Sequence, residues 1–486
     1  MHEKSDIFLV SNAAGQFGSE PALMLKDRVI SYYEYDRLVH ATALKLENLA
    51  LKKGDRLAIL SPVCLEYPVL IMALIKRGIV AVPVNTRYPG AYIQKLLEKI
   101  DCKNIVVHES MKSLHPGGTV RVHMLKDIAV SSVDRSMNTG PAEQIKFKRD
   151  TTIMFTSGSS GEPKAVLHTY GNHYYSALGS YENIAFQPCD SWLLSLPLYH
   201  VGGFSILIRA AVHGGTVAIP DYRVPLHESM TELMFSHISL VAAQLRRLMI
   251  ARENILCLNG AKAIILGGAA HPPALIERAV REGLPLFTSY GSTETASQVT
   301  TTQPGERIDR LFTSGKTLRY RECTISGEGE IYVRGETLFK GYIEKGRIDS
   351  ARDSEGWFHT GDLGSFDENG CLHVSGRKDT MFVSGGENIH PEEIEQRLCM
   401  IENIADALVV PVEHSVYGMR PAAFIRYEEG EPISGEAITG RLANYLPKYK
   451  IPDHFLPWPP DIESGGLKPD RQIFIQRARE LLQGKP

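Results

Sequence analysis

Seven cysteines are scattered over 486 residues; the number is odd and none stands in a C-x-x-C pair. That excludes a disulfide framework and a thiolate zinc site, and it fits a reducing compartment. No apolar run reaches the roughly 18 residues that span a bilayer. The best stretch, residues 57–84, is broken by Glu66, Lys76 and Arg77. The start, MHEKSDIF, lacks the apolar core of a secretory signal. The expected setting is therefore the cytoplasm, without membrane insertion. Neither charge dominates: 53 Lys and Arg stand against 56 Asp and Glu, a net charge of −3. Nothing in that balance favours a nucleic-acid partner. Internal repeats and low-complexity tracts are absent too, which excludes a solenoid or a disordered scaffold.

What is present is globular material, 43% hydrophobic and 22% charged, long enough for two to four folding units. Strand-like runs at 57–60, 79–84, 104–107, 152–155, 216–219, 263–266 and 286–288 are separated in several places by helical spacing, as at 67–76, 91–100 and 273–282. Repeated β–α units imply a largely parallel sheet covered on both faces. Pro83 places the 79–84 strand near an edge. Around Thr313 the texture changes to short strands with Gly-rich turns, ECTISGEGEIYVRGETLFKGYI and GSFDENGCLHVSG, which predicts a small antiparallel β unit. After Gly376-Arg377-Lys378-Asp379 the pattern is mixed again. Pro391-Glu392-Glu393 suits the first turn of a helix, 407–410 and 422–427 read as strands, and 435–445 as a helix. A boundary at Lys378–Thr380 divides the chain into units over 1–378 and 379–486.

The sharpest local signal is Thr156-Ser157-Gly158-Ser159-Ser160-Gly161-Glu162-Pro163-Lys164. Small residues let backbone N–H groups approach an oxyanion, hydroxyls donate further bonds and Lys164 adds charge. This is phosphate-cradling chemistry, although a polar surface loop has the same composition. It is not the P-loop G-x-x-x-x-G-K-[ST], which disfavours an NTPase motor. Tyr290-Gly291-Ser292-Thr293-Glu294 follows a strand and offers hydroxyls to phosphates and one hard carboxylate, Glu294, to Mg²⁺; a strand-to-helix turn with capping residues explains it equally. Thr360-Gly361-Asp362 sets a carboxylate among turn residues, able to accept two hydroxyls of a ribose diol or to bond its own backbone. Arg377 could reach a ribose or a phosphate. Ser384-Gly385-Gly386-Glu387-Asn388 offers open backbone to a ligand or forms a hairpin. Lys468 lies in a terminal Gly-rich loop, Ser464-Gly465-Gly466-Leu467-Lys468-Pro469.

Singly these segments are modest, but their order is not. With the hydroxyl-rich loop, Y-G-S-T-E, T-G-D, G-R-K-D and the terminal loop lysine in succession, the chain resembles the adenylate-forming superfamily of acyl-CoA synthetases, luciferases and peptide-synthetase adenylation domains. The resemblance covers nearly the whole length. Within the superfamily it is most similar to the o-succinylbenzoate–CoA ligase group of menaquinone biosynthesis. PKAVLHTYGNHYYSA (163–177), LLSLPLYHVGGFSILIRA (193–210), HISLVAAQLRRL (237–248), ILGGAAHP (265–272) and GGLKPDRQ (465–472) carry that likeness. Two positions depart from the common pattern. Gly466-Leu467-Lys468 stands where most members have Ser-Gly-Lys, and Ala165 replaces a glycine after Lys164.

The resemblance implies an α/β fold: a large amino-terminal domain of mixed α/β sheets with a small β unit, and a mobile α+β carboxyl-terminal domain hinged at Asp379. It implies ATP, Mg²⁺ and CoA. Thr156, Ser157, Gly158, Ser159, Ser160, Gly161 and Lys164 would take the β- and γ-phosphates, with Tyr290, Gly291, Ser292 and Thr293 beside the nucleotide and Glu294 on Mg²⁺. Asp362 and Arg377 would hold the ribose, and Lys468 would stabilise charge between the substrate carboxylate and the α-phosphate. For the thiol step the carboxyl-terminal unit would rotate about Asp379 and bring Ser384, Gly385, Gly386 and Asn388 to the CoA path. His200, Gly267, Gly268 and Ser289 would line the acyl pocket, with His200 as a gate.

One clue to the acid comes from the residues themselves. Arg209 is the only fixed charge between Asp190 and Asp221. A buried arginine is rarely left unpaired, so a ligand carboxylate is a reasonable partner; a protein acid or a helix cap is the alternative. The expected partners are ATP, an aromatic carboxylic acid and CoA, with a homo-oligomer left open. Another aryl- or acyl-CoA ligase, a stand-alone carrier-loading enzyme and a nucleotide-binding regulator that has lost catalysis remain competing functions.

Overall fold

Residues 57–60 of the strand Arg56–Leu60, and Val80–Pro83, are continuous apolar runs, and the two strands are buried and paired in parallel, as strands covered on both faces commonly are. The helix Glu66–Arg77 connects them and ends at Gly78, whose φ of 72° closes the last turn in the left-handed region. The computed structural model describes residues 5–114, 116–140, 142–156, 163–268, 273–428, 432–460, 462 and 471–483, with 5–7 and 483 as backbone only.

Two large sheets form rather than one. The first has eight strands in the order Arg347–Asp349, Gly341–Glu344, Lys164–Thr169, Asp150–Thr156, Val80–Pro83, Arg56–Leu60, Asn104–Val107 and Arg121–Met124. Val80–Pro83 is thus interior, contrary to the edge expected from Pro83. The proline closes the strand beside Ile59, so its missing N–H falls where the ladder ends. The second sheet has nine strands. Its middle, Leu286–Ser292 through Ala263–Leu266, His237–Leu240, Ser191–Leu193 and Thr216–Ala218 to Pro21–Leu25, is parallel, and both ends turn antiparallel. Helices including Tyr32–Leu46, Glu66–Arg77, Tyr170–Ser180 and Val201–His213 share a core in which Trp192, Tyr32, Tyr67 and Phe204 are fully buried.

The predicted small β unit is the antiparallel sheet Arg321–Ile325, Glu330–Gly335, Phe358–Phe366 and Leu372–Arg377. Gly341–Glu344, read as part of the same unit, leaves it and pairs with Lys164–Thr169 in the eight-stranded sheet. Beyond Asp379 the chain builds a separate sheet. Ile404–His414 and Gly418–Tyr427 pair antiparallel, His454–Pro457 runs parallel to the latter, and the hairpin Phe382–Ser384 with Glu387–Ile389 joins at Gly418. The helices Pro391–Leu398 and Arg471–Gln483 pack on it. Among the described residues no helix is long and apolar enough to cross a membrane.

Buried histidines give this fold a pH limit. Burial pushes His168 and His237 down to about 4 and lowers His173 as well. Above the ordinary value of about 6.5 folded and unfolded chains are both neutral at these positions, and the stability is fully present. As pH falls towards 4 the unfolded chain takes up protons that the folded chain refuses, and stability is lost. Denaturant titrations should therefore give a constant stability from pH 8 to 7 and a steady decline from 6.5 to 5. His237→Gln should flatten that decline by about 1.4 kcal/mol per pH unit.

Candidate active site

Parallel strands leave their carboxyl ends facing a common crevice, where backbone groups and loop side chains point at ligands. Here that crevice is an open cleft of about 2630 Å³, bounded on the other side by the carboxyl-terminal sheet and its helices. Ser239 and Leu240, Ile265 and Gly267, and Ser289 to Glu294 line it from the ends of three neighbouring strands.

At one end Asp150–Thr156 and Lys164–Thr169 form a hairpin in which Thr156 is opposite Lys164; both line the cleft. Ser157, Gly158, Ser159, Ser160 and Gly161 lie outside the described residues. The Lys164 ammonium stands 4.8 Å from the centre of the Tyr342 ring, and the Tyr342 hydroxyl donates to Glu294 Oε1 at 2.8 Å. Burial, reinforced by the Glu294 charge, pushes the Tyr342 phenol upward, so it stays a donor. No helix follows the Y-G-S-T-E segment. The strand runs on to Ser292 and turns through Ala296 and Ser297, both at positive φ, into Ser297–Thr301. Gly291 is required there: a Cβ would fall 1.8 Å from the Ser297 carbonyl oxygen. The Thr293 carbonyl is bonded to His168 Nε2 at 2.7 Å, which fixes the turn from behind.

Among the described residues no cluster of three or more His, Cys, Asp or Glu side chains could cage a metal. A single oriented carboxylate fits Mg²⁺ arriving with ATP, because that ion keeps water and phosphate oxygens and takes only one or two carboxylates from protein. Glu294 is the residue that would hold it. Removing the Tyr342 hydroxyl frees that carboxylate. Tyr342→Phe should raise the KM for ATP about tenfold or more, the worth of one hydrogen bond to a charged group, with an unchanged melting temperature.

Asp362, expected to meet a ribose, is not in a turn. It lies within the strand Phe358–Phe366, opposite Arg377. Its Oδ2 accepts the Tyr290 hydroxyl at 2.6 Å and its Oδ1 accepts Arg377 Nη1 at 3.0 Å. Arg377 also grips Asp379 through Nε and Nη2, at 2.8 and 2.9 Å. The Asp379 hydrogen bonds, aided by the Asp362 charge, raise its pKa against the opposing effect of burial. A further chain of contacts leaves this point. The Thr380 hydroxyl donates to Glu392 at 2.9 Å, Glu392 accepts Arg471 at 3.3 Å, and Arg471 also reaches Glu395 at 2.6 Å.

His200, Arg209, Gly267, Gly268 and Ser289, expected to line an acyl pocket, also line this cleft. Arg209 is 3% exposed on the helix Val201–His213. It donates through Nε to Ser180 at 3.0 Å and through Nη2 to Gln298 at 2.7 Å, and stacks over Trp192. Both hydrogen-bond acceptors are neutral; among the described residues no carboxylate pairs with it. Burial lowers its pKa to about 10, so it remains charged. His200 is held neutral, at about 4, by burial and by Arg87, and its Nε2 has no partner among the described residues.

The model of the AMP-binding enzyme family matches residues 10–343, and that of the AMP-binding enzyme carboxyl-terminal domain matches 393–463. The chain belongs to the AMP-binding enzyme family. The 2-succinylbenzoate–CoA ligase of Oceanobacillus iheyensis is 34% identical over 432 residues, 87% of this chain and 89% of that protein. The o-succinylbenzoate CoA synthetase of Bacillus subtilis, solved with the acyl-adenylate intermediate, has a TM-score of 0.83 at 28% identity, covering 96% of this chain and 97% of that one. Solved with ATP and magnesium ion, it gives 0.82 at 29%, covering 94% and 96%.

In this AMP-binding enzyme the cleft gathers Thr156, Lys164, Tyr290 to Glu294, Asp362, Arg377 and Asp379 with the residues expected to line an acyl pocket. It does not gather Ser384, Gly385, Gly386 and Asn388. They form the tight hairpin at 382–389, with the Ser384 side chain buried, outside the cleft lining. Lys468 lies outside the described residues, although Ile462 and Arg471 on either side of its loop line the cleft. Tyr342 and Gln298 escaped the sequence reading, and Glu392 was visible there only as a first-turn acid of a helix. Each acts on a residue remote in the chain, and no local motif marks them.

Proposed function

We propose that this AMP-binding enzyme activates the aliphatic carboxylate of 2-succinylbenzoate with ATP and passes the acyl group to CoA, with the roles assigned here to individual residues. A carboxylate resists a thiolate because both are negative and the acyl carbon has no good leaving group. In the first step a carboxylate oxygen forms a bond to the α-phosphorus, the bond to the β-phosphate oxygen breaks, and pyrophosphate departs with that electron pair. In the second the CoA sulfur bonds the acyl carbon, the acyl–oxygen bond breaks, and AMP departs.

Positioning and charge do most of this work. Asp362, held by Tyr290 and Arg377, accepts the ribose hydroxyls. Lys164 and the hydroxyls of its hairpin loop bind the outer phosphates. Glu294 would hold the Mg²⁺ that arrives with ATP, an ion that would supply charge neutralisation at the phosphates. Lys468 reaches the carboxylate and α-phosphate from the loop that Arg471 anchors. Asp379 is the hinge between units over 1–378 and 379–486, about which the 384–388 hairpin turns towards the pantetheine arm. The cytoplasm, where ATP and CoA are available, is the setting.

The observation that carries the substrate assignment is Arg209, a buried charge without a carboxylate partner among the described residues, in the same cleft as the nucleotide groups. It would meet the ring carboxylate that is not activated. The test is labelled pyrophosphate exchange into ATP, with AMP and thioester measured when CoA is added. Exchange should depend on 2-succinylbenzoate and should yield one AMP per thioester. Exchange with benzoate or a fatty acid but not with 2-succinylbenzoate would remove the substrate, and exchange with no acid would remove the adenylating role.

A further inference from the structure

Behind Arg209 lies a second buried arginine. Arg321, the first residue of the strand Arg321–Ile325, is 6% exposed and does not line the cleft. It donates through Nη1 to the Arg319 carbonyl at 2.8 Å, and through Nη2 to the Ser176 carbonyl and hydroxyl at 3.4 and 3.2 Å. Its Nε has no partner among the described residues. Ser176 and Ser180 are four apart on the helix Tyr170–Ser180, hence on one face, so Arg321 and Arg209 rest on adjacent turns of the same helix.

Gly179 makes the space for this arrangement. A Cβ there would fall 2.3 Å from Arg321 Nη1 and 2.5 Å from the Arg319 carbonyl. The surroundings therefore accommodate the guanidinium but offer it only neutral oxygens. Burial and the charge of Arg209 push its pKa down to about 9, still above neutrality. Two cations are thus buried side by side with no carboxylate for either among the described residues. Burying such charges costs several kcal/mol each, and in the free protein no counter-charge among the described residues offsets it; neutral hydrogen-bond acceptors and the Trp192 ring do so only in part.

We infer that Arg321 is a specificity-determining residue: without touching the acid, it adds to the positive potential at the acyl end and favours acids that carry a second carboxylate beside the one activated. The inference rests on the substrate reading above and extends it from one arginine to a pair. Arg209 supplies contact and direction, and Arg321 supplies field. At an effective dielectric of about 20, unit charges about 10 Å apart interact strongly enough to change a rate constant about tenfold.

The experiment compares kcat/KM for 2-succinylbenzoate and for 4-oxo-4-phenylbutanoate, the same skeleton without the ring carboxylate. Wild type, Arg321→Met and Arg321→Lys are measured. Arg321→Met should lose about tenfold of the preference, through the doubly charged acid alone, while the KM for ATP and the rate with the singly charged acid hold. Arg321→Lys should keep the preference within about threefold. Equal losses on both acids, an unchanged ratio in Arg321→Met, or an Arg321→Lys as poor as Arg321→Met would each overturn the inference. If Arg321→Met lacks the wild-type melting transition, Arg321→Gln is read on the same ratio. Failure of the wild type to adenylate 2-succinylbenzoate is a different result, and it overturns the substrate reading together with the inference.

Discussion

Lys468→Ala is expected to lower acid-dependent pyrophosphate exchange by about 10²–10³-fold, the usual cost of removing one group aimed at charge that develops in the transition state. Thioester formation from supplied acyl-adenylate should stay within about twofold. The asymmetry follows from the contacts of Arg471 and the proposed rotation. Arg471, three residues beyond the lysine, is tied to Glu392 and Glu395, and Glu392 in turn to Thr380 beside the proposed hinge. Arg471 is thereby linked to the proposed hinge, where Arg377 bridges Asp362 and Asp379. On the proposed rotation of the carboxyl-terminal unit for the thiol step the lysine would leave, so its removal should not be felt there. Equal losses in the two half-reactions would instead make Lys468 a binding or folding residue.

How far the sequence predicts this molecule depends on how local each signal is. Continuous apolar runs and helical spacing gave Ala263–Leu266, Arg56–Leu60 and Glu66–Arg77 within a residue or two, because burial on two faces or one stripe is written into consecutive residues. The partition into two sheets was not legible. Which strand pairs with which depends on long-range packing, and so the Gly341–Glu344 strand was assigned to the wrong sheet. In the site, residues that act through a motif could be found: Lys164, Glu294, Asp362 and Arg377 all line one cleft. Those that act by bracing them could not. Tyr342 reaches Glu294 from 48 positions away, and Thr360 to Asp362, read as turn residues, are strand. Arg209 lies between these cases. Its isolation in an apolar stretch was visible, but the absence of an acid beside it among the described residues needed the fold.

Arg209→Met should raise the KM for 2-succinylbenzoate about 10²-fold and leave the KM for ATP unchanged, since truncating one partner of a buried, hydrogen-bonded charge pair costs several kcal/mol. The melting temperature separates this from a structural role. Among the described residues the guanidinium meets Ser180, Gln298 and the Trp192 ring, and no carboxylate. Removing a buried charge that has no counter-charge relieves desolvation instead of breaking a pair. The unliganded variant should therefore melt at the wild-type temperature or above it. The rise in melting temperature that saturating acid gives the wild type should be lost, because a ligand stabilises only in proportion to its affinity for the folded state. Arg209→Lys should recover charge but not the forked geometry, and should fall between the two. A variant that melts lower than wild type yet binds the acid as tightly would show that Arg209 serves the fold, and the case for a second carboxylate on the substrate would lose its support.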